Sequence, residues 1–190
     1  MSGLPSEPAA RHRAVTERFT AIVRATDSWD CATPVPGWLA RDVVAHLVGW
    51  FPGFLASGAD VRLPTGPAVE DDPRGAWELQ AVAVQRLLDD PETTGRTFSN
   101  PHTGDHRLDE AIDRFYTSDV FMHTWDLARA TGADDSLDAA ECARMFAGME
   151  PMADLLLASG QYGPQVPVPD DASAQDRLLG LIGRDPDWRP

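Results

Sequence analysis

Apolar residues recur along this chain at helical rather than strand spacing, and the pattern predicts five helices and no convincing strand. The first runs from about Pro8 to Thr26, with Val15, Phe19 and Ile22 on one stripe. The second runs from about Leu39 to Ser57, with Leu39, Val43, Trp50 and Phe54 on one side and Pro52 as a kink or an end. The third starts at Pro73, a favoured first helical residue, and reaches about Asp90 through Trp77, Val84 and Leu88. The fourth spans about Leu108 to Ala130 and stops at Gly132, which suits a left-handed cap. The fifth covers about Leu137 to Ala158.

The connections are rich in turn formers. "TPVPGW", "GADVRLPTGPAVEDDP" and "PETTGRTFSNPHTGDH" all read as loops. Beyond "SGQYGPQVPVP", the string "SAQD" (Ser173 to Asp176) resembles a capping box ahead of Leu178, Leu179 and Ile182. The expected fold class is therefore all-α, a four-helix bundle with an extra C-terminal helical segment. One domain is expected over residues 1–190, its tail from about 160 packing back on the bundle.

The fourth helix breaks the apolar rule. At about 100° per residue, Leu108, Ile112, Asp119, His123 and Ala130 share one face. An aspartate and a histidine four residues apart thus stand on a stripe that should meet the core. That spacing lets both side chains reach one ion. His46 lies at the edge of the Val43, Leu47, Trp50, Phe54 stripe of the second helix. If helices two and four pack together, two imidazoles and a carboxylate converge, a donor set for zinc, nickel or ferrous iron. The same spacing also suits a plain hydrogen-bonded pair, and a histidine beside an apolar stripe is commonly satisfied by a backbone carbonyl. Spacing alone leaves both readings open. Phe121 and Trp125 make a second apolar side on helix four, which is then either central in the bundle or part of a subunit contact.

Composition narrows the partners. All sixteen basic residues are arginine, so Schiff-base chemistry and a P-loop lysine are excluded. A net charge of −14 disfavours nucleic acid and anionic membrane. Cys31 and Cys142 belong to no paired motif and read as buried, inert thiols of a reduced, cytoplasmic chain without an evident signal peptide. His102 and His106 sit in a Pro/Gly-containing loop and read as solvated. Asp42 and Asp126 lie near the proposed faces, as surface groups or as supports of the ligands.

"WLARDVVAHLVGW" together with "TSDVFMHTWDLARATG" resembles the DinB-like proteins. Within them the chain is similar to a metal-binding group related to the N-terminal domain of mycothiol-dependent maleylpyruvate isomerase. "YGPQVPVPDDASAQDRLLGLIGRDPDW" extends the resemblance over nearly the whole chain. It implies one divalent metal on three protein ligands, which fall on His46, Asp119 and His123. Zinc is the first expectation, with nickel or iron as alternatives. The carboxylate is often glutamate in the isomerase and is aspartate here, one methylene shorter. The chain stops at Pro190, so the isomerase's further domain is not expected, nor maleylpyruvate isomerisation itself.

What the resemblance implies is thiol-dependent chemistry. Mycothiol or a similar low-molecular-weight thiol would serve as cosubstrate, and a small electrophile would be transferred or isomerised. A non-catalytic metal-binding or regulatory interaction module is the alternative, and a homodimer is compatible with both.

Overall fold

The computed structural model describes residues 3–190. Four long helical stretches form the core: α1 (Pro8–Ala25), α2 (Ala40–Ala59), α3 (Pro73–Asp89) and the stretch that ends in α6. A short α4 (Pro91–Thr94) precedes two strands, β1 (Thr97–Asn100) and β2 (Gly104–Arg107). The fourth stretch comprises α5 (Leu108–Ala111), a π-helical turn (Ile112–Thr117) and α6 (Ser118–Thr131). In the bundle, α1 and α2 lie diagonally, and each packs against both α3 and α6. Then come α7 (Ala139–Met149), a 3₁₀ turn (Glu150–Met152), α8 (Ala153–Ala158) and α9 (Ala174–Leu181).

The caps agree with the sequence. Glu7 accepts from the Ala10 N–H at the start of α1 (2.9 Å), and Asp72 from the Gly75 N–H at the start of α3 (2.8 Å). The Leu39 N–H donates to Asp42 (2.7 Å), so Asp42 serves the first turn of α2 rather than any catalytic task. Gly132 closes α6 at φ 71°.

Three expectations need correction. Residues Thr97 to Arg107 are not wholly loop: β1 and β2 form an antiparallel hairpin, with Phe98 opposite His106. Its anchor is the fully buried Phe98 ring, seated over Gly58 of α2, where any β-carbon would collide with it. The fourth helix is not uniformly α, because the π turn interrupts its register. The fifth breaks at Pro151, which supplies no backbone N–H.

α9 lies against α7, and the Ser173 hydroxyl accepts from the Asp176 N–H. Past α9 the chain crosses itself at Gly163 and Gly183. A β-carbon on Gly183 would stand 2.6 Å from the Gly163 Cα, and its φ of 80° also suits glycine. Phe121 and Trp125 are buried within the single chain, so α6 is the central helix and needs no second subunit to cover them. Among the described residues no helix is long and apolar enough to cross a membrane.

His12 is the most deeply buried titratable base. Gln85 donates through Nε2 to the Ala9 carbonyl and to Asp89, so its Oε1 accepts from His12 Nδ1 at 2.9 Å. Burial pushes His12 down to about 4, the Gln85 bond opposing. Between pH 6.5 and 4 the unfolded chain therefore binds a proton that the folded chain refuses, and stability falls as pH drops through that window. The shift corresponds to on the order of 3 kcal/mol. Urea unfolding measured across that pH window is expected to show this slope, and His12→Asn is expected to flatten it by about one proton; an unchanged slope would place the proton uptake elsewhere.

Candidate metal centre

Each member of the predicted triad is carried on the bundle rather than on a loop. His46 sits in the second turn of α2, while Asp119 and His123 lie one turn apart on α6. The π turn ends just before Ser118, so the phase of these two residues is set immediately after it. Since α2 and α6 are neighbours, the three side chains converge: one ligand atom from each lies within 4.8 Å of the others. Among the described residues this is the one such group of three.

The contacts are specific. His46 Nε2 is 2.9 Å from Asp119 Oδ2, and the Trp50 indole N–H donates to the same oxygen at 3.0 Å. His123 Nε2 is 3.5 Å from Asp119 Oδ1. On its other edge, His123 Nδ1 is 2.8 Å from Asp126 Oδ2. Asp126 is 1% exposed, and both its oxygens accept from Arg184, at 3.0 Å from Nε and 3.1 Å from Nη2. A carboxylate fully engaged by Arg184 can only accept from the imidazole, so His123 Nδ1 carries a proton and Nε2 is the nitrogen turned toward Asp119. Nε2 then faces a carboxylate oxygen across 3.5 Å, an arrangement that either a proton on Nε2 or a cation between the two atoms makes favourable. Two ligands on one tetrahedral ion, each about 2.0–2.1 Å from it, stand roughly 3.4 Å apart. The donor set and its spacing therefore fit a divalent cation.

Aromatic rings wall the site. The "TPVPGW" turn, with Gly37 at φ 80°, presents Trp38 against both imidazoles. Its ring centroid lies 5.2 Å from His46 and 5.7 Å from His123, the latter at 15° between planes. Trp50 covers the third side and stacks edge-on against Tyr116. His46 retains 32% side-chain exposure against 7% for His123, so the open side of the centre is at His46.

Burial pushes the Asp119 carboxyl up, but the imidazoles of His123 and His46 and the Trp50 N–H outweigh it and hold the carboxyl below the ordinary aspartate value. Asp126 is held low in the same way, His123 and Arg184 offsetting its burial. The Tyr162 hydroxyl is raised by burial and by the Asp119 charge, with Arg184 opposing, which places this tail tyrosine in the field of the site.

Other sequence candidates lie elsewhere. His102 is exposed at the hairpin turn, and His106 Nε2 lies 2.8 Å from the Thr103 carbonyl, its ring against Phe115. Cys142 is buried and its thiol is pushed up to about 12 by burial, with the Asp138 and Glu141 charges adding. Cys31 differs from the expectation of a buried thiol: it is half-buried, its Sγ donating to the Ser28 carbonyl. Sequence reasoning missed Trp38, the Trp50 bond to Asp119, and Arg184. Asp126 had a readable signal, three residues past His123 on one helix.

A helical bundle that turns two imidazoles and a carboxylate toward one point defines a DinB-like protein with a candidate metal centre. The chain belongs to the mycothiol maleylpyruvate isomerase N-terminal domain family, whose profile matches residues 12–128. It is also similar to uncharacterized proteins of Mycobacterium tuberculosis, one from strain CDC 1551 / Oshkosh and one from strain ATCC 25618 / H37Rv. Each is 28% identical over 190 residues, covering 94% of this chain and 98% of the relative. No solved structure matches.

Trp50→Phe removes the indole N–H and keeps the ring stacking. In metal-free protein it is expected to lower the unfolding free energy by about 1.5–3 kcal/mol, the range for a hydrogen bond to a charged group. Denaturant titration reads this directly. A change below a few tenths of a kcal/mol would show that Asp119 Oδ2 does not depend on Trp50.

Proposed function

We propose that this chain binds one divalent cation through His46, Asp119 and His123 and uses it to activate a low-molecular-weight thiol, mycothiol, against a small electrophile. The observation that carries this reading is the convergence of one donor atom from each of the three side chains within 4.8 Å of the others, with His123 Nε2 turned to Asp119 Oδ1 while Nδ1 is tied to Asp126. Family membership supports the choice of thiol. Zinc suits three N/O ligands with a position left open for a substrate.

The ion would supply Lewis acidity, bringing a thiol of ordinary pKa about 8.5 into its reactive thiolate form at neutral pH. The chain's own groups do the rest. Asp126 keeps the His123 ring in its Nδ1–H form. Trp50 holds one oxygen of Asp119. Trp38 and Trp50 line the approach with apolar surface and exclude water from the reacting sulfur. The thiol enters on the exposed His46 side and its S–H proton leaves to solvent. The sulfur then forms a bond to the electrophilic carbon. In a transfer, the leaving group departs with the electron pair; in a thiol-assisted isomerisation, the adduct later expels the thiol unchanged. The buried, high-pKa Cys142 is not suited to be an internal nucleophile. The reading is thus of a metal-dependent thiol S-transferase or isomerase of the cytoplasm.

Metal analysis after zinc, nickel or ferrous reconstitution is expected to give one equivalent per chain in wild type and a large loss in His46→Ala. With mycothiol and monochlorobimane, conjugation is expected to fall at least about 100-fold in that variant, the scale of removing a group that acts on the reacting atom. Equal rates in wild type and His46→Ala would sink the assignment of the site.

A further inference from the structure

The family profile ends at residue 128, yet the site draws on a residue from well beyond that point: Arg184, just past α9. Its position is built by the tail. The Arg184 N–H donates to the Leu179 carbonyl (2.8 Å), and the Gly183–Gly163 crossing lets the chain turn inward there. The guanidinium is 11% exposed and grips both oxygens of Asp126, while its third nitrogen, Nη1, donates to the Ile182 carbonyl at 3.3 Å. Two parallel N–H bonds fix the plane of the carboxylate as well as its charge. The Asp126 plane in turn fixes the ring of His123 through Nδ1. Without Arg184, Asp126 would be a buried carboxylate held by the imidazole alone, and both groups would be free to turn.

We propose that Arg184 is a positioning residue of the metal centre: by clamping Asp126 it holds His123 Nε2 toward Asp119, so that docking of the C-terminal tail and occupancy of the centre reinforce each other. This rests on the reading of His46, Asp119 and His123 as metal ligands. Arg184 touches neither the ligand atoms nor the open side of the site. Its effect passes through Asp126 and is a matter of geometry. Coupling of this kind is reciprocal, since whatever factor tail docking adds to cation affinity, the cation adds to tail docking. Two tail contacts would loosen together with it: the Arg129 guanidinium donates to the Pro186 carbonyl at 2.9 Å, and the Val166 N–H donates to the Gly180 carbonyl at 2.9 Å.

The experiment uses the full-length chain and zinc. Chelator competition is expected to show a zinc affinity about 10- to 100-fold weaker in Arg184→Ala, the usual effect of losing the support of a metal-bound histidine. Arg184→Lys keeps the charge but not the paired geometry and is expected to fall between. Nitrogen-15 NMR of the metal-free proteins is expected to show the Nδ1–H form of His123 in wild type and a mixture in Arg184→Ala. Hydrogen exchange on wild type alone covers the case of a variant that does not fold: zinc is expected to slow the amides of residues 176–184 by a factor comparable to the affinity loss. Wild type that binds no zinc removes the metal reading and this proposal with it. Wild type that binds zinc, with affinity unchanged in Arg184→Ala or tail exchange unmoved by zinc, overturns the proposal and leaves the metal reading intact.

Discussion

His123 Nε2 and Asp119 Oδ1 are held face to face at the seam between α2 and α6, and much of the surrounding architecture serves to keep them there. The far edge of the imidazole is tied to Asp126, and the far oxygen of the carboxylate is shared by Trp50 and His46. Neither α6 residue can relax without breaking a bond elsewhere. The bundle therefore holds the three donor side chains converged on one point from regular helices rather than from a loop.

The same helix shows how the polar site coexists with a core. From Val120 to Ala128 every residue of α6 is buried. Its apolar members are packed from all sides by the bundle, and Thr124, His123 and Asp126 have defined partners: Thr124 donates back to the Val120 carbonyl, and Asp126 meets His123 and Arg184. Elsewhere Gln80 bridges the Leu47 carbonyl and the Tyr116 hydroxyl, an uncharged link between α2, α3 and the π turn, directly behind Trp50. Buried polar groups with partners fix the relative placement of helices that apolar contacts alone would let slide.

Helical periodicity made the bundle legible in the sequence. The stripes through Val15, Phe19 and Ile22, and through Trp77, Val84 and Leu88, are the buried faces of α1 and α3. The triad was legible because two of its residues share one helical turn and the third marks a neighbouring stripe. The hairpin was not, since "TFSN" and "GDHR" carry one buried residue, Phe98, between them and alternate too briefly to register as strands. Trp38 and Arg184 were hidden for a different reason. Their roles depend on where loops return in space, and no local spacing encodes that. The π turn hid because its residues, Ile112 to Thr117, are ordinary helix formers by composition, and the extra residue per turn appears only in the hydrogen bonding.

That turn has a consequence for the lineage of such a site. A π turn absorbs about one residue more than an α turn, so it rotates α6 by roughly 100° relative to α5. Excising one amino acid between Ile112 and Thr117 would let the stretch rewind as plain α-helix. Either Leu108 and Ile112 or Asp119 and His123 would then have to swing away from their present neighbours. A gain or loss of a single codon there would thus suffice to separate a chain in which His46, Asp119 and His123 converge from a sibling with a similar bundle in which they do not.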